Sequence, residues 1–176
     1  VWFRRADPIA RVFHHYGHVA PVRRDGDGLS VRLPGTGLSD LAVSGRSEVA
    51  FVVALLWVTT FDGFVATPAW RTIATTAAAV VPLTVVYPAA LVVGFALFLS
   101  IFRIASRVSQ RTARTYVTTG ELARRFAPSL VAIAAGYHFA HYLGYLVSNA
   151  GALAVAVSTP LSTVAVIRSM LHRWVG

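Results

Sequence analysis

The chain contains no cysteine, no lysine and a single methionine. Without cysteine there can be no disulfide, no thiolate metal centre and no cysteine nucleophile. The phosphate-binding and dinucleotide-binding glycine patterns are absent too, and no G-x-S-x-G turn offers a serine nucleophile. Pro34-Gly35-Thr36-Gly37 is a turn rather than a phosphate loop. Charge is scarce as well. Charged residues make up 13% of the 176 positions, where a soluble domain carries about 25%.

What is present is apolar, at 56% of the chain. Between Ala50 and Phe102 the only charges are Asp62 and Arg71, and between Phe126 and Ile167 there are none. Such stretches belong in lipid. All sixteen basic residues are Arg and the net charge is +9. That charge does not point to nucleic acid, because no basic helix or aromatic platform of a nucleic-acid-binding type accompanies it. The arginines flank the apolar stretches instead, as the positive-inside rule requires. The expected partners are the lipid bilayer and further membrane helices or subunits, with no nucleic acid.

Residues 1–47 read as a cytoplasmic-side segment. Val1 to Arg5 resembles the last turn of an earlier helix. Asp7-Pro8 is a helix start, with a capping carboxylate and a proline at the first position. Ile9, Val12, Phe13 and Tyr16 then recur at helical spacing, which predicts a short amphipathic helix at the membrane interface. Arg11, His14, His15 and His18 fall off that stripe and are expected at a solvated face. His14 and His18 are spaced to share a metal, but no Glu completes a metalloprotease motif. The rest is a Gly- and Arg-rich loop in which residues 29–33 alternate as a short strand.

Residues 48–176 read as the transmembrane domain. The first span is expected over about 48–66, ended by Thr67-Pro68, with Trp70 and Arg71 as interface anchors. Residues 72–80 form a short interfacial or re-entrant helix. The second span covers about 83–105, with a kink at Pro88. Arg103, Arg107, Arg111, Arg114, Arg124 and Arg125 crowd the 103–125 connection, which is therefore cytoplasmic. The third span covers about 126–148, with Pro128 in its first turn. Asn149-Ala150-Gly151 is a turn candidate, followed by a short fourth span over 152–168. That span would return Arg168 and Arg173 to the cytoplasm, and three spans with a re-entrant tail are the alternative. The fold class is thus all-α: a polytopic membrane bundle of three or four spans plus a short interfacial N-terminal helix, in the plasma membrane of a prokaryote.

Three polar features fall at membrane depth. Asp62 lies in the first span, where an ionisable group costs about 2.5–3.5 kcal/mol at mid-helix. His138 and His141 share one helix face, and Tyr145 falls on it too. His138 lies about 18 Å along the third span at about 1.5 Å per residue, toward the outer leaflet. Thr59, Thr60, Ser148 and Asn149 add hydrogen-bonding groups near the outer ends. Asp62, His138 and His141 are the candidate metal ligands and catalytic groups, with Tyr145 supporting them from behind. Two imidazoles and a carboxylate suit a divalent metal without selecting one, and a bound metal would make a nucleophile of water. The alternative is polar packing between helices. Haem is disfavoured, since two histidines one turn apart cannot ligate it from opposite faces.

Asp7-Pro8-Ile9-Ala10-Arg11, Thr60-Phe61-Asp62-Gly63-Phe64 with Thr67-Pro68-Ala69-Trp70, and Phe126-Ala127-Pro128-Ser129-Leu130-Val131 leading into Tyr137-His138-Phe139-Ala140-His141-Tyr142 resemble the bacterial and archaeal membrane proteins called fenitrothion hydrolase-like. The resemblance covers roughly residues 1–150, and the tail from about Gly151 departs from it. Members of that family are longer, which implies a segment of such a protein or a split version. The resemblance also implies that Asp62, His138 and His141 belong to the recognisable motifs, and that the activity is hydrolysis of apolar esters; dependence on a metal is the expectation from the side chains themselves. A non-catalytic transmembrane subunit of a larger complex is the other expectation. A transporter fragment is a third, favoured by the broken helix over 72–88.

Overall fold

A computed structural model describes residues 7–114 and 116–158. The expectations for Val1 to Arg5, for most of the fourth span and for Arg168 and Arg173 lie outside the described residues. The chain divides into two compact units, Val1–Tyr137 and His138–Gly176. It is all-α, with six helices among the described residues and one small two-stranded sheet.

Helix α1 (Pro8–Gly17) begins where Asp7 accepts hydrogen bonds from the amides of Ile9 and Ala10. These are backbone donors that the first turn leaves without partners. A hairpin follows. Strand β1 (Val22–Asp25) pairs antiparallel with β2 (Gly28–Val31), in the register Val22 opposite Val31 and Asp25 opposite Gly28. The alternation over 29–33 anticipated β2 only. β1 was read as loop because Arg23, Arg24 and Asp25 show no apolar face, and all four of its residues are exposed. A 3-10 turn (Thr36–Asp40) starts after Gly35, whose φ of 85° is the left-handed conformation that glycine adopts without strain.

Three helices are long and apolar enough to cross a membrane: α2 (Arg46–Val65), α4 (Leu83–Thr112) and α5 (Thr119–Ser148). Between the first two lies the short α3 (Pro68–Ala78), capped by the Thr67 hydroxyl on the Trp70 amide. α4 runs through Pro88 as one helix and extends to Thr112, beyond the expected end near 105. α5 starts at Thr119, seven residues before the expected 126, so Pro128 lies in the helix interior rather than its first turn. The first turn is built instead by Thr118, which caps the Glu121 amide, and by Glu121, which pairs with Arg124 and Arg125. An acidic residue followed by bases one turn on is good helix chemistry even though it is not apolar.

In the first unit, α2 and α5 share a core of Val49, Val52, Ala123, Ala127 and Val131. Leu41 and Val43 close it from the preceding loop. α2 and α4 cross at Trp57. Its indole N–H donates to the Leu91 carbonyl at 2.7 Å, and its ring covers Gly94 so closely that a Cβ there would overlap it. Farther along α2, the Tyr137 hydroxyl stands over Gly63 in the same way.

In the second unit, α5 ends at Ser148 and α6 (Ala150–Ser158) follows after one residue. The expected turn at Asn149-Ala150-Gly151 is not a reversal. The Asn149 amide bonds to the Tyr145 carbonyl and the Leu153 amide to the Asn149 carbonyl, so the helical ladder carries on. Asn149 also returns its side-chain amide to Tyr145, which satisfies a carbonyl locally.

Candidate functional site

Asp62 stands in the last turn of α2 and is exposed. It belongs to the first unit, whereas His138 and His141 belong to the second. On α5 the His138 ring stacks on Tyr142, with centroids 5.8 Å apart and planes at 19°. His141 meets the same ring edge-on at 5.5 Å. One tyrosine ring therefore touches both imidazoles: His138 from one turn before it, as residues four apart on a helix can, and His141 as its chain neighbour. His138 is half-buried, and His141, Tyr142 and Tyr145 are exposed. Among the described residues, no group of three or more His, Asp or Glu side chains is gathered to hold a metal ion. The His138–His141 pair is thus a two-nitrogen arrangement on one helix face.

A second polar constellation was not foreseen. His15, placed by its position in the sequence at a solvated face, is completely buried, and Glu48 in the first turn of α2 is buried beside it. Of the apolar stripe, Ile9 and Phe13 are 66% and 73% exposed, whereas Val12 and Tyr16 are partly buried, Tyr16 against the core. α1 is therefore docked through His15 and Arg11 together with Tyr16, while Ile9 and Phe13 face outward. The physical cause is Glu48. Its Oε1 pairs with the Arg11 guanidinium, and its Oε2 accepts from the Ser44 amide at 2.8 Å and the Ser44 hydroxyl at 2.9 Å. A carboxylate carried toward the membrane by an apolar helix requires such partners. His15 donates from Nδ1 to the Arg11 carbonyl at 2.8 Å, and its Nε2 lies 3.5 Å from Glu48 Oε1. The Phe51 ring packs on the imidazole at 5.4 Å. One signal was available in the sequence: Arg11 and His15 are one turn apart, and Glu48 is the sole acid at the head of an apolar span.

The neighbours of this cluster titrate abnormally. The His14 imidazole is held below its ordinary value of 6.5 by partial burial, and then by the nearby His18, His15 and Arg11. Burial pushes the Tyr16 phenol up to about 12.

A third feature lies where α2, α3 and α4 meet. Trp57, Phe61, Phe64, Trp70, Tyr87 and Phe98 form a chain of ring contacts with centroids 4.7–5.6 Å apart. Trp70, expected as an interface anchor, is buried in it at 3% exposure. Its indole N–H has no acceptor among the described residues, an uncommon state for a buried donor. The Trp70 side chain lines a cavity of about 250 Å³ with Arg71, Thr75 and Tyr87.

No protein-family model, no curated protein and no solved structure matches this chain.

Proposed function

We propose that the chain is a multi-pass protein of a prokaryotic plasma membrane, seated with its arginine-rich end in the cytoplasm, and that it serves as a helical part of a larger membrane assembly. The observation that carries this reading is the segregation of charge along helices that exceed the bilayer. α4 and α5 have thirty residues each, about 45 Å at about 1.5 Å per residue, against a hydrocarbon core of about 30 Å. The charges of α4, Arg103, Arg107 and Arg111, all lie in its last ten residues, and those of α5, Glu121, Arg124 and Arg125, in its first seven. The surplus length of both helices is therefore the charged length. Only 6% of the most apolar stretch of α4 and 11% of that of α5 is buried, which leaves broad faces for lipid and further helices.

Because the chain has no cysteine, single cysteines report its orientation without background. Arg71→Cys and Ala150→Cys are expected to react with an impermeant maleimide added to intact spheroplasts. Arg111→Cys is expected to react only after permeabilisation. Labelling of all three from outside, or the reverse pattern, would overturn the proposal.

A second reading is enzymatic, and the pairing of His138 and His141 against one tyrosine ring favours it. Two imidazoles with a carboxylate such as Asp62 fit the ligand preferences of a divalent metal, which would supply an activated water for attack on an apolar ester. In this reading His138 and His141 hold the ion and Tyr142 keeps their rings in register. Metal analysis of the purified protein tests it. About one equivalent of metal, lost in His138→Ala and in His141→Ala, is the expected result. Equal metal in wild type and variants would remove it, and unchanged metal in Asp62→Asn would take that carboxylate out of the ligand set.

A further inference from the structure

The charged end of the first unit contains a cavity of about 310 Å³. Four arginines line it: Arg46 at the start of α2, Arg103 and Arg107 from α4, and Arg124 from α5, together with Thr119 and Gly120 at the start of α5. No acidic side chain lines it. Arg124 is partly neutralised by Glu121, but among the described residues Arg46, Arg103 and Arg107 form no ion pair. Apart from the Arg124–Glu121 pair at the cavity wall, the ion pairs among the described residues are made by Arg11, Arg23 and Arg125, and by His15 with Glu48. Three exposed arginines that line one cavity without an ion-pair partner give it a positive potential that favours an anion.

The cavity is built rather than incidental. Val49 and Ala123 on its wall belong to the hydrophobic core shared by α2 and α5. The Thr119 hydroxyl donates to the Gln110 side chain, whose amide donates in turn to the Val117 carbonyl at 2.9 Å. That clasp ties the start of α5 to the end of α4 and holds the walls in place. Two helix N-termini, those of α2 and α5, open on the same space, and their positive ends reinforce the guanidinium charge.

We propose that this cavity binds a phosphoryl group, and that its occupant is the phosphate of an anionic lipid headgroup. Guanidinium forks match the paired oxygens of a phosphate, and several of them together hold more than one negative charge. The three helices contributing the arginines are the three membrane spans, so the cavity lies at headgroup level if the proposed seating is right. Basic pockets between spans on the cytoplasmic side take anionic headgroups. The lipid source rests on that seating, whereas the phosphoryl chemistry does not.

The full chain, purified in mild detergent, is incubated with phosphatidylglycerol, with phosphatidylcholine or with inorganic phosphate, and bound ligand is read by native mass spectrometry. The expected result is retention of phosphatidylglycerol over phosphatidylcholine. Arg103→Gln/Arg107→Gln should weaken it by at least about tenfold, since each substitution removes a charge-assisted hydrogen bond to the phosphate. Arg111→Gln removes the same charge one turn away on α4, outside the cavity, and should change retention less than about threefold. If the double variant does not fold, Arg46→Gln, exposed at the start of α2, takes its place. Inorganic phosphate bound with the same arginine dependence, and no preference among lipids, would keep the phosphoryl site and overturn its lipid source. Equal losses in Arg111→Gln and the cavity variants, or no binding of any of the three, would overturn the site itself. None of these readouts depends on orientation in a membrane, so the cysteine-labelling result stands or falls separately.

Discussion

At the scale of single residues, the chain spends its few acidic groups carefully. Glu48 is buried with Arg11 and Ser44 around it. Removing it would leave the Arg11 guanidinium and the Ser44 hydroxyl facing each other without an acceptor. Glu48→Ala is expected to destabilise by about 2–4 kcal/mol, as breaking a largely buried pair from one side does. Glu121→Ala removes a solvent-screened pair and is expected to cost far less. Thermal unfolding of both in detergent checks the contrast, and equal losses would mean that Glu48 does not hold α1. His14 provides a pH prediction. Its folded value is lowered from 6.5, so as pH falls the unfolded chain takes the proton first. The associated stability is full above about 6.5 and is lost as pH falls from there toward the folded value. The unfolding midpoint should therefore drop between pH 7.5 and 5.5 by more in wild type than in His14→Gln. Parallel profiles would refute this. The effect is small, since His14 remains largely exposed.

At the scale of elements, the helices meet through rings laid over glycines. Trp57 is fixed by its bond to the Leu91 carbonyl and covers Gly94. A methyl group there must displace an anchored indole, so Gly94→Ala is expected to cost about 1–3 kcal/mol. Gly136 has open space around its Cβ position. Gly136→Ala should be neutral or stabilise by about 0.5–1 kcal/mol, because alanine favours helix. Opposite signs in the two unfolding midpoints support close packing of α2 on α4. A stabilising Gly94→Ala would show that the helices do not approach so closely.

The same scale shows why some elements were legible in the sequence and others were not. Asp7-Pro8 carries its cap within three residues, so the start of α1 could be read directly. Thr67-Pro68, read only as the end of the first span, also caps α3, which therefore starts at Pro68 rather than near 72. The end of α4 and the start of α5 could not. Hydropathy marks where lipid ends, but a helix continues as long as its own turns are satisfied. Arg103, Arg107 and Arg111 are good helix residues in water, and Glu121 with Arg124 and Arg125 begins a helix without any apolar stripe. Asn149 also misled, because a turn-forming residue can bond its side chain back to the preceding turn.

At the scale of the whole molecule, charge separation is the organising feature. The start of α2, the end of α4 and the start of α5 bring Arg46, Arg103, Arg107 and Arg124 to one cavity. Residue 71 and residue 150 belong to connections at the opposite ends of those spans, which is why cysteines there are the informative ones in the labelling experiment. The placement of α1 also belongs to this scale: its Ile9 and Phe13 face outward while Arg11 and His15 face Glu48.

The sequence by itself determined the solvent. Long uncharged stretches and flanking arginines require a membrane and, with it, helices, because no other open structure satisfies its backbone in lipid. It also determined that His138 and His141 share a face, since three residues on a helix always do. Only the tertiary structure decided which face of α1 is buried, that Trp70 is a core residue, and that four arginines scattered over 79 positions line one cavity. Those outcomes depend on what stands opposite each residue. A carboxylate on α2 drew Arg11 and His15 of α1 inward, and the spacing within one segment carries no information about a partner thirty or sixty residues away.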